Sequence, residues 1–532
     1  MVIKIKWKLR KNVEFDGDFK KYISKVRDIQ NIDEYLNPSV KNVHNPLLLK
    51  DIKRAVKRTM QGIDKNEKIV VFADPDVDGV IATVILVDYL KRLSSNVEYR
   101  YRERETGHGV EVDDIDKDTD LLIIVDSSSN EHKAVNKLSE SMDVIILDHH
   151  NVEDSKKINA ILVNPNQPDC PYPNKHLSGG GVVWKFIELL DYHYKQINIK
   201  RYLDLVAMSL LADQMDMSSL ENRWIVKNGL SKIYNIGLLG LIYATKNNGK
   251  KLNAQIMNFD IIPLINTVAR NNELHKAFKV FFEKDFFKAK RMGEYLIKEN
   301  KERKIKIKKL FKEYEKIAEV GKFVLVVKED AEKNYNGLIS QQLASKYKRP
   351  ALVLKNKGNI FAGSGRTFNN FDLQKFLKEC PYVSQAEGHS GALGVEIQAE
   401  NWDKFKQYIE DNIDEALFEE IIEYDIEVSN DELNWDLVKE ILEFNHIWGN
   451  NAQPIMVKLK NVFINDKELF PKNNPEHVKI IGDNIELLKF NNAKYAADLD
   501  SWDIANFVGF LNVNEWRGAK KLQFLIEDYI KQ

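Results

Sequence analysis

Three short apolar runs in the first third of the chain end in, or lead directly into, aspartate. Residues 68–73 (KIVVFA), 121–126 (LLIIVD) and 143–148 (DVIILD) are rich in β-branched side chains, and intervening segments such as 79–93 have helical spacing. Continuous apolar strands that alternate with helices are typical of a parallel sheet. Because ligands bind at the carboxyl ends of the strands in such sheets, these aspartates mark the edge where a site is expected.

The middle of the chain has a helical pattern that gives way to a second α/β pattern. Residues from about 184 to 245 have helical spacing, and Leu274–Ala318 is a long charged stretch without proline that predicts one connecting helix. Residues 322–328 predict a strand, and 336–355 predict a helix and then a strand. With the glycine-rich, strand-like residues 359–397, these segments predict a second, smaller α/β domain.

The last part of the chain predicts a small β-barrel. A charged helical region at 403–446 leads into a turn at 447–454 (IWGNNAQP), and three strand-like segments follow at 455–465, 477–490 and 507–528. At 532 residues the chain is too long for one compact core. We therefore predict an α/β protein with a parallel-sheet domain, a long connecting helix, a smaller α/β domain and a C-terminal barrel.

Composition limits the choice of partners and compartment. The net charge is −1, from 79 basic and 80 acidic residues, so attraction to nucleic acid must be local, as in the basic run 298–309. No apolar run is long enough to cross a bilayer, and the N-terminus lacks a secretory pattern. Cys170 and Cys380 are too few for a disulfide framework. We expect an intracellular, cytoplasmic protein that does not insert into membranes.

The strongest local signal for chemistry is the segment ADPDVDG directly after the first predicted strand. Asp74, Asp76 and Asp78 alternate along it, ahead of Gly79. Carboxylates this close repel one another, so a fold keeps them together with a compensating charge, for which a divalent cation is the usual choice. An acidic turn is the alternative interpretation.

Further acids and imidazoles follow the next candidate strands. Asp126 ends one, the triplet Asp148-His149-His150 ends another, and Asp213 follows an apolar run. Because strand ends of one parallel sheet converge, these residues predict a carboxylate-rich site with imidazoles, which suits Mn²⁺ or Mg²⁺. Two ions about 4 Å apart could share Asp126, activate a water and promote hydrolysis at phosphorus.

The order of these motifs resembles the four motifs of the DHH phosphoesterases. The order is Asp-x-Asp-x-Asp-Gly, a strand-end Asp, Asp-His-His, then Ala-Asp near Glu-Asn-Arg. The wider chain resembles RecJ-type exonucleases, with similar segments at 37–63, 164–186, 263–273, 336–354, 363–368, 387–394 and 512–529. The resemblance implies N-terminal helices and a DHH domain (1–250), a helical connector (251–320), a DHHA1 domain (321–402), and a helical linker with an oligonucleotide-binding (OB) barrel (403–532).

The resemblance also implies roles for single residues at the metal centre. One ion would be held by Asp78, Asp126, His149 and Asp213. The other would be held by Asp76 and the shared Asp126, with Asp74 as a further candidate. His150 would face the scissile phosphate, and Asp148 would support the neighbouring imidazole.

The expected substrate contacts lie mostly in the second α/β domain. By resemblance, Arg366 and His389 grip the nucleic acid strand, with Ser364 and the backbone of Gly388 beside them. Arginine supplies a forked, charge-assisted contact, and glycine lets backbone amides approach a phosphate. Arg270 is a further candidate for phosphate contact, with a structural ion pair as the alternative.

Four positions depart from the family pattern. The turn after the strand-end aspartate reads Asp126-Ser-Ser-Ser instead of Asp-Asn/Cys-Gly, and His108 stands where Gly-Tyr-Gly is usual. Glu387 replaces the first glycine of Gly-Gly-His, and Ala269 replaces a glycine before Arg270. We expect these changes to affect substrate binding and the rate of hydrolysis more than metal binding.

The resemblance implies stepwise 5′→3′ hydrolysis of single-stranded DNA to 5′-mononucleotides with two Mn²⁺ or Mg²⁺ ions, in DNA repair, recombination or replication. RNA is a possible substrate, a single-strand-binding protein or helicase is a possible partner, and a monomer is expected. The alternatives are a DHH hydrolase of oligoribonucleotides, cyclic dinucleotides or pyrophosphate, a nucleic-acid-binding scaffold with weak catalysis, and aspartates that bind only a structural cation.

Overall fold

A computed structural model describes residues 6–104, 107–153, 157–369, 371–473, 475–516 and 519–532. The chain forms two compact units. The smaller unit consists of Lys298–Ile422 with the N-terminal residues up to Lys8, and the larger consists of Leu9–Ile297 and Glu423–Gln532. Where the predicted domains begin and end stays a prediction.

The strands of the described residues follow in chain order. They are β1 Lys6–Leu9, β2 Ile69–Ala73, β3 Val97–Tyr101, β4 Leu121–Val125, β5 Asp143–Leu147, β6 Ile161–Val163, β7 Glu319–Val320, β8 Val324–Lys328, β9 Ala351–Asn356, β10 Ile360–Arg366, β11 Gln385–His389, β12 Ala392–Gln398, β13 Ile421–Tyr424, β14 Ile426–Ser429, β15 Val457–Phe470, β16 His477–Gly482, β17 Glu486–Lys489, β18 Ile504–Trp516 and β19 Ala519–Lys531.

The α-helices lie mainly between and around these strands. They are α1 Phe19–Val26, α2 Ile32–Leu36, α3 Ile52–Asp64, α4 Val77–Leu90, α5 His132–Leu138, α6 Gly179–Tyr194, α7 Leu203–Ala212, α8 Leu220–Ser231, α9 Ile236–Ala244, α10 Ala254–Ile256, α11 Ile262–Arg270, α12 Leu274–Phe282, α13 Phe286–Glu315, α14 Lys333–Tyr347, α15 Leu373–Glu379, α16 Trp402–Asn412 and α17 Trp435–Phe444.

The larger unit contains the predicted parallel sheet. Its strand order is β3-β2-β4-β5-β6, and every pair is parallel. All residues of β2 and β4 are buried; α4 and α6 pack on the sheet, and α7 packs on these two helices. The chain runs from β2 to β3 on one side and then returns to β4 on the other. The crevice at the carboxyl ends of β2 and β4 is therefore the switch point where ligands bind in such sheets.

The smaller unit contains the second predicted α/β domain. Its sheet has the order β11-β12-β10-β9-β8-β7, with β8 and β9 parallel and the other described pairs antiparallel. Helix α14 packs against β9 and β10, as the helix-then-strand pattern of 336–355 predicts. Helices α15 and α16 contribute Leu373, Leu377, Phe405 and Ile409 to a hydrophobic core of the smaller unit.

The C-terminal part of the larger unit is the predicted barrel. Five strands close in the order β15-β16-β17-β19-β18, and β18 pairs again with β15. The β17–β19 pair is parallel and the others are antiparallel, as in an OB fold. Strand β14 adds to β15 in parallel, and α17 packs against β18.

Two sequence expectations were wrong in detail. The stretch Leu274–Ala318 is not one helix, because Glu283 is extended and its carboxylate accepts the backbone N–H groups of Lys284 and Asp285. Asp285 then accepts the N–H of Lys288 at the start of α13. The region 403–446 is not helical throughout, because β13 and β14 lie between α16 and α17. Strand pairing overrode the charged, helix-like composition there.

Among the described residues, no helix combines the length and the apolar composition needed to cross a membrane.

Gly229 allows α8 to lie directly against α7, the helix that leads to Asp213. A Cβ at this position would lie 2.1 Å from the carbonyl oxygen of Leu203 and 2.7 Å from Cβ of Ala207. We expect Gly229→Ala to lower the free energy of unfolding by about 1–3 kcal/mol through overpacking, as measured by urea denaturation. Gly394→Ala is the control, since its nearest contact would be 3.8 Å. Equal stability of the two variants would contradict this packing argument.

Candidate metal centre

The strand-end aspartates lie together at the carboxyl edge of the parallel sheet. Asp74 follows β2, Asp126 follows β4 and Asp148 follows β5, and all three are buried. Asp78 is in the first turn of α4 and is 1% exposed, and Asp213 directly follows α7. The fold thus brings residues from five segments to the switch point that the strand order creates.

His149 is the centre of this group. Its Nε2 atom lies 3.1 Å from Oδ1 of Asp126, 3.4 Å from Oδ2 of Asp213 and 3.7 Å from Oδ2 of Asp78. These are the four residues that the sequence assigned to one ion. One set of ligand atoms within 4.8 Å of one another comes from Asp78, His149 and Asp213, and another from Asp126, Asp148, His149 and His150.

Two of the central atoms are buried without a hydrogen-bond partner among the described residues. They are Oδ1 of Asp126 and Nε2 of His149. Leaving buried polar atoms unpaired costs free energy, so native structures rarely do so without a functional reason such as a bound ion. A set of carboxylate oxygens around one imidazole nitrogen fits a hard divalent cation of the Mn²⁺ or Mg²⁺ type.

The electrostatics of the site favour a bound positive charge. Burial raises the pKa of Asp78 and raises that of Asp126 well above its ordinary value, and the charges of neighbouring aspartates add to the effect on Asp126. Burial and the charges of Asp78 and Asp76 raise the pKa of Asp213 to about 8. Bringing these carboxylates together in ionised form is therefore unfavourable without a cation, which a bound metal would provide.

Asp78 is held at the N-terminus of α6. Its two carboxylate oxygens accept the backbone N–H of Gly179 at 2.7 Å and of Gly180 at 2.9 Å. The hydroxyl of Ser209, on α7, also donates to Oδ1 of Asp78. Unpaired N–H groups at a helix N-terminus favour a negative charge, so α6 orients and stabilises this carboxylate.

The glycines at the start of α6 are required by space. A Cβ at Gly179 would lie 2.6 Å from Oδ1 of Asp126, and a Cβ at Gly180 would lie 2.5 Å from Oγ of Ser209. The sequence run Ser178-Gly-Gly-Gly belongs to a family-like loop, but its role was not predicted. A triple glycine shortly before the helical pattern that begins near residue 184 was the available signal for close approach.

His150 and Asp148, for which the resemblance implied separate roles, form a hydrogen-bonded pair. Nδ1 of His150 lies 2.8 Å from Oδ1 of Asp148, which also accepts the backbone N–H of His149 at 2.7 Å. This hydrogen bond raises the pKa of His150 to about 10. Burial acts to raise the pKa of Asp148, but the same hydrogen bond helps to hold that pKa below its ordinary range. The imidazole of His150 is 55% exposed, so a substrate can reach it.

Two asparagines that sequence reasoning missed hold the backbone of the two histidines. Nδ2 of Asn166 donates to the carbonyl of His149 at 2.5 Å, and Nδ2 of Asn164 donates to the carbonyl of His150 at 2.9 Å. Asn164 also donates to the hydroxyl of Ser129. The segment Asn-Pro-Asn directly after the apolar residues 161–163 was the available signal, since asparagine commonly bonds backbone groups in turns.

Asp74 and Asp76 make different contacts from the other aspartates. Oδ1 of Asp76 accepts the N–H of Gly79 at 2.9 Å and caps α4. Asp74 lies 2.8 Å from Nδ1 of His108 and accepts the N–H of Gly109 at 3.2 Å. Within the described residues neither joins the two ligand sets around His149. Their assignment to a second ion stays a prediction, as do the other ligand assignments.

The serine turn after Asp126 keeps the site together in spite of its unusual sequence. Asp126 and Ser128 have φ values of +64° and +72°, in the left-handed region that favours glycine. The hydroxyl of Ser128 accepts the N–H of Val110 at 3.1 Å, and the N–H of Ser129 donates to Asp148 at 3.2 Å. The turn therefore connects the His108 loop to Asp148.

Most of the predicted substrate contacts lie in the smaller unit. Ser364 and Arg366 are on β10, and Gly388 and His389 are on β11. Arg366 and His389 are both in register with Ala392 of β12, so these two positions lie in one row across the sheet. Gly388 has a φ of +138°. Burial lowers the pKa of Arg366 without changing its charge at neutral pH.

Arg270 lies in the larger unit, as the last residue of α11. Ala269, which replaces a glycine of the family pattern, is fully buried in the core beside it. Whether Arg270 contacts phosphate stays a prediction.

Comparisons with known proteins agree with the motifs. The model of the DHH family N-terminal domain matches residues 68–210, and that of the RecJ OB domain matches residues 424–528. One similar protein, from Bacillus subtilis, is provisionally named as an SPbeta prophage-derived single-strand DNA-specific exonuclease, YorK. It is 28% identical over 549 residues, which cover 95% of this chain and 94% of that protein. The single-stranded-DNA-specific exonuclease RecJ of Haemophilus influenzae is 26% identical over 558 residues, with 95% of each chain covered.

The fold is also similar to a solved structure. The crystal structure of RecJ in complex with Mn²⁺ from Thermus thermophilus superimposes with a TM-score of 0.76 at 20% sequence identity. The match covers 96% of this chain and 75% of that one. At this identity the similarity shows that the two proteins share a fold.

Ser209 offers a test of the centre that leaves every predicted ligand in place. We expect Ser209→Ala to weaken Mn²⁺ binding about 10- to 100-fold, because Asp78 loses the hydroxyl that orients it. Isothermal titration calorimetry of the metal-free protein measures this directly. Ser231→Ala, on the exposed end of α8, is the matched control. Unchanged Mn²⁺ affinity in Ser209→Ala would contradict the assignment of Asp78 as a ligand.

Proposed function

For a chain that carries a DHH-family N-terminal domain and a RecJ OB domain, we propose the activity of a metal-dependent single-stranded-DNA exonuclease. It hydrolyses phosphodiester bonds in the 5′→3′ direction and releases 5′-mononucleotides. Relatives named as single-stranded-DNA-specific exonucleases align over nearly the whole chain, which supports this assignment. The cofactor we propose is Mn²⁺ or Mg²⁺, with two ions bound.

The observation that carries the proposal is the unpaired core of the carboxylate cluster. Oδ1 of Asp126 and Nε2 of His149 are buried and lie 3.1 Å apart, and neither has a hydrogen-bond partner among the described residues. Such an arrangement is costly unless a cation binds there. Divalent cations at a carboxylate site serve phosphoryl transfer by polarising the phosphate and lowering the pKa of a water.

The residues of the chain supply positioning and charge. Asp78, Asp126, His149 and Asp213 converge from separate elements and hold the ion at the carboxyl edge of the sheet. His150 is oriented by Asp148 and is exposed, so its ring can contact a phosphate oxygen of the strand. Its raised pKa keeps it cationic at neutral pH, which favours an anionic substrate.

In this proposal, residues of the smaller unit bind the nucleic acid strand. Arg366 and Ser364 on β10, with His389 and the backbone of Gly388 on β11, belong to one region of its sheet. An arginine fork binds phosphate through two parallel charge-assisted hydrogen bonds. We assign Arg270 the same kind of contact from the larger unit.

The OB barrel favours a polymeric substrate over a small one. A barrel of this type binds single strands along its surface, which hydrolysis of a dinucleotide does not require. Single-stranded DNA is therefore the first substrate to test and RNA the second. We further propose that the protein works as an intracellular monomer and receives strands from a single-strand-binding protein or a helicase.

Loss of one aspartate charge tests the proposed chemistry. We expect Asp76→Asn to reduce cleavage of single-stranded DNA by at least about 100-fold, since a ligand charge is lost. Asparagine keeps an oxygen for the N–H of Gly79, so the cap of α4 remains. The measurement follows strands labelled at the 5′ or the 3′ end, with Mn²⁺, Mg²⁺ or EDTA.

The distribution of label decides between the alternatives. Immediate release of labelled mononucleotide from the 5′-labelled strand, with none in EDTA, is the expected result. Asp113→Asn, which changes an exposed acid that is not among the predicted site residues, should cleave like the wild type. A wild type that binds DNA and RNA but cuts neither would support the scaffold alternative. Cleavage restricted to short oligoribonucleotides or cyclic dinucleotides would support the small-substrate alternative.

Arg366 tests the proposed grip separately from the chemistry. We expect Arg366→Gln to raise KM for single-stranded DNA about 10- to 100-fold with little change in kcat, because a charge-assisted contact made throughout the reaction is lost. Steady-state kinetics over a range of strand concentrations measures both constants. Lys357→Gln, an exposed cation that follows β9, is the control. A normal KM in Arg366→Gln would contradict the assignment.

A further inference from the structure

Two aromatic side chains that are not among the predicted site residues, Phe259 and Trp448, form a pair on the larger unit. The ring centroids of Phe259 and Trp448 lie 6.1 Å apart, with an interplanar angle of 37°. Phe259 is 62% exposed, which is unusual for a phenylalanine in a well-packed region. Trp448 is partly buried and packs on the main core, so it is held in place while Phe259 is exposed to solvent.

The local backbone explains why Phe259 is exposed. It lies in the π-helical segment Met257–Ile261, between α10 and α11. Single π-helical turns inserted in α-helices frequently occur at functional sites. Met257 and Ile261, at the two ends of the segment, are fully buried, so the segment is anchored while Phe259 faces solvent. The N–H of Ala254 donates to the carbonyl of His446, which holds this segment beside the Trp448 turn.

The aromatic pair is linked to the metal centre by a short path. The N–H of Met217, four positions after Asp213, donates to the carbonyl of Asn450 at 2.9 Å. Asn450 is two positions after Trp448, and Gly449 leaves no room for a Cβ beside Met217. Chain dimensions therefore place Trp448 at most on the order of 25 Å from Asp213. Fewer than about eight nucleotides cover this distance even at the ~3.4 Å spacing of a stacked strand.

Basic side chains lie near the Trp448 turn, and an exposed acid, Asp260, lies next to Phe259. His446, two positions before Trp448, has its pKa lowered to about 4 by burial and by the charges of Lys251, Lys227 and Arg223. Lys251 is exposed and available to a phosphate. A phosphate of a bound strand could therefore pair with the exposed ammonium group of Lys251.

We propose that Phe259 and Trp448 form a stacking platform for one unpaired base of the single strand bound at the metal centre, an inference that rests on the proposed function. Every nucleobase has a π-face, so such a platform is tolerant of sequence. Gln255 and Asp260 beside Phe259 are exposed and polar, which limits the apolar surface to about the size of a base. A protein partner would need a larger contiguous patch.

The test combines removal of a ring with removal of a base. Asp76→Asn protein, which we expect to cleave strands too slowly to interfere, is titrated into fluorescently labelled twelve-residue oligothymidylates with Mn²⁺ present. One series carries an abasic tetrahydrofuran residue at each position in turn. We expect Phe259→Leu to weaken binding of the complete strand about 5- to 100-fold, the range of one base–aromatic stack. At one abasic position the two proteins should bind alike, because no base is there to stack.

Controls separate the platform from folding and from the proposed function. Phe259→Tyr should bind like the parent, and Phe287→Leu, a 72% exposed phenylalanine on α13, should have no effect. If Phe259→Leu binds every strand as tightly as its parent, the platform is wrong while the exonuclease proposal stands. If Phe259→Leu weakens all strands equally, abasic ones included, Phe259 acts without a base and the inference also falls. If the parent does not bind single strands and the wild type does not cut them, both proposals are wrong.

Discussion

The burial of several carboxylates within a few ångströms of one another is the constraint on which the rest of this site depends. Both desolvation and mutual repulsion oppose the ionised forms, as the raised pKa values of Asp78, Asp126 and Asp213 indicate. A fold can maintain this arrangement only by supplying compensating donors and by leaving a position for a cation. Both features are present around His149.

The donors come from elements that the parallel sheet brings together. The N-terminus of α6 gives two backbone N–H groups to Asp78, and α7 gives the hydroxyl of Ser209. This approach is possible because Gly179 and Gly180 have no Cβ. The histidine pair is held in the same way, by Asp148 and by two asparagines that bond its backbone. The orientation of the predicted ligands therefore depends on helix packing as well as on the strand ends.

Sequence patterns predicted the elements best where one physical signal dominated. The buried strands of the parallel sheet are continuous apolar runs, which few other structures tolerate, and they were found with nearly correct bounds. The pattern failed between 274 and 318, where Glu283 ends one helix through a local backbone contact that periodicity does not reveal. It failed again at 421–429, where pairing with distant strands decided the conformation of a charged segment.

The sequence by itself determined the chemical inventory: aspartates and histidines at strand ends, in an order and spacing that only a few families share. It could not determine which oxygen faces which nitrogen, because these contacts join residues far apart in the chain. The roles of Gly179, Ser209 and Asn166, and the pairing of Phe259 with Trp448, were decided by tertiary structure alone. The physical reason is that local pattern records periodicity and turn preference, whereas close approach between helices depends on the whole packed core.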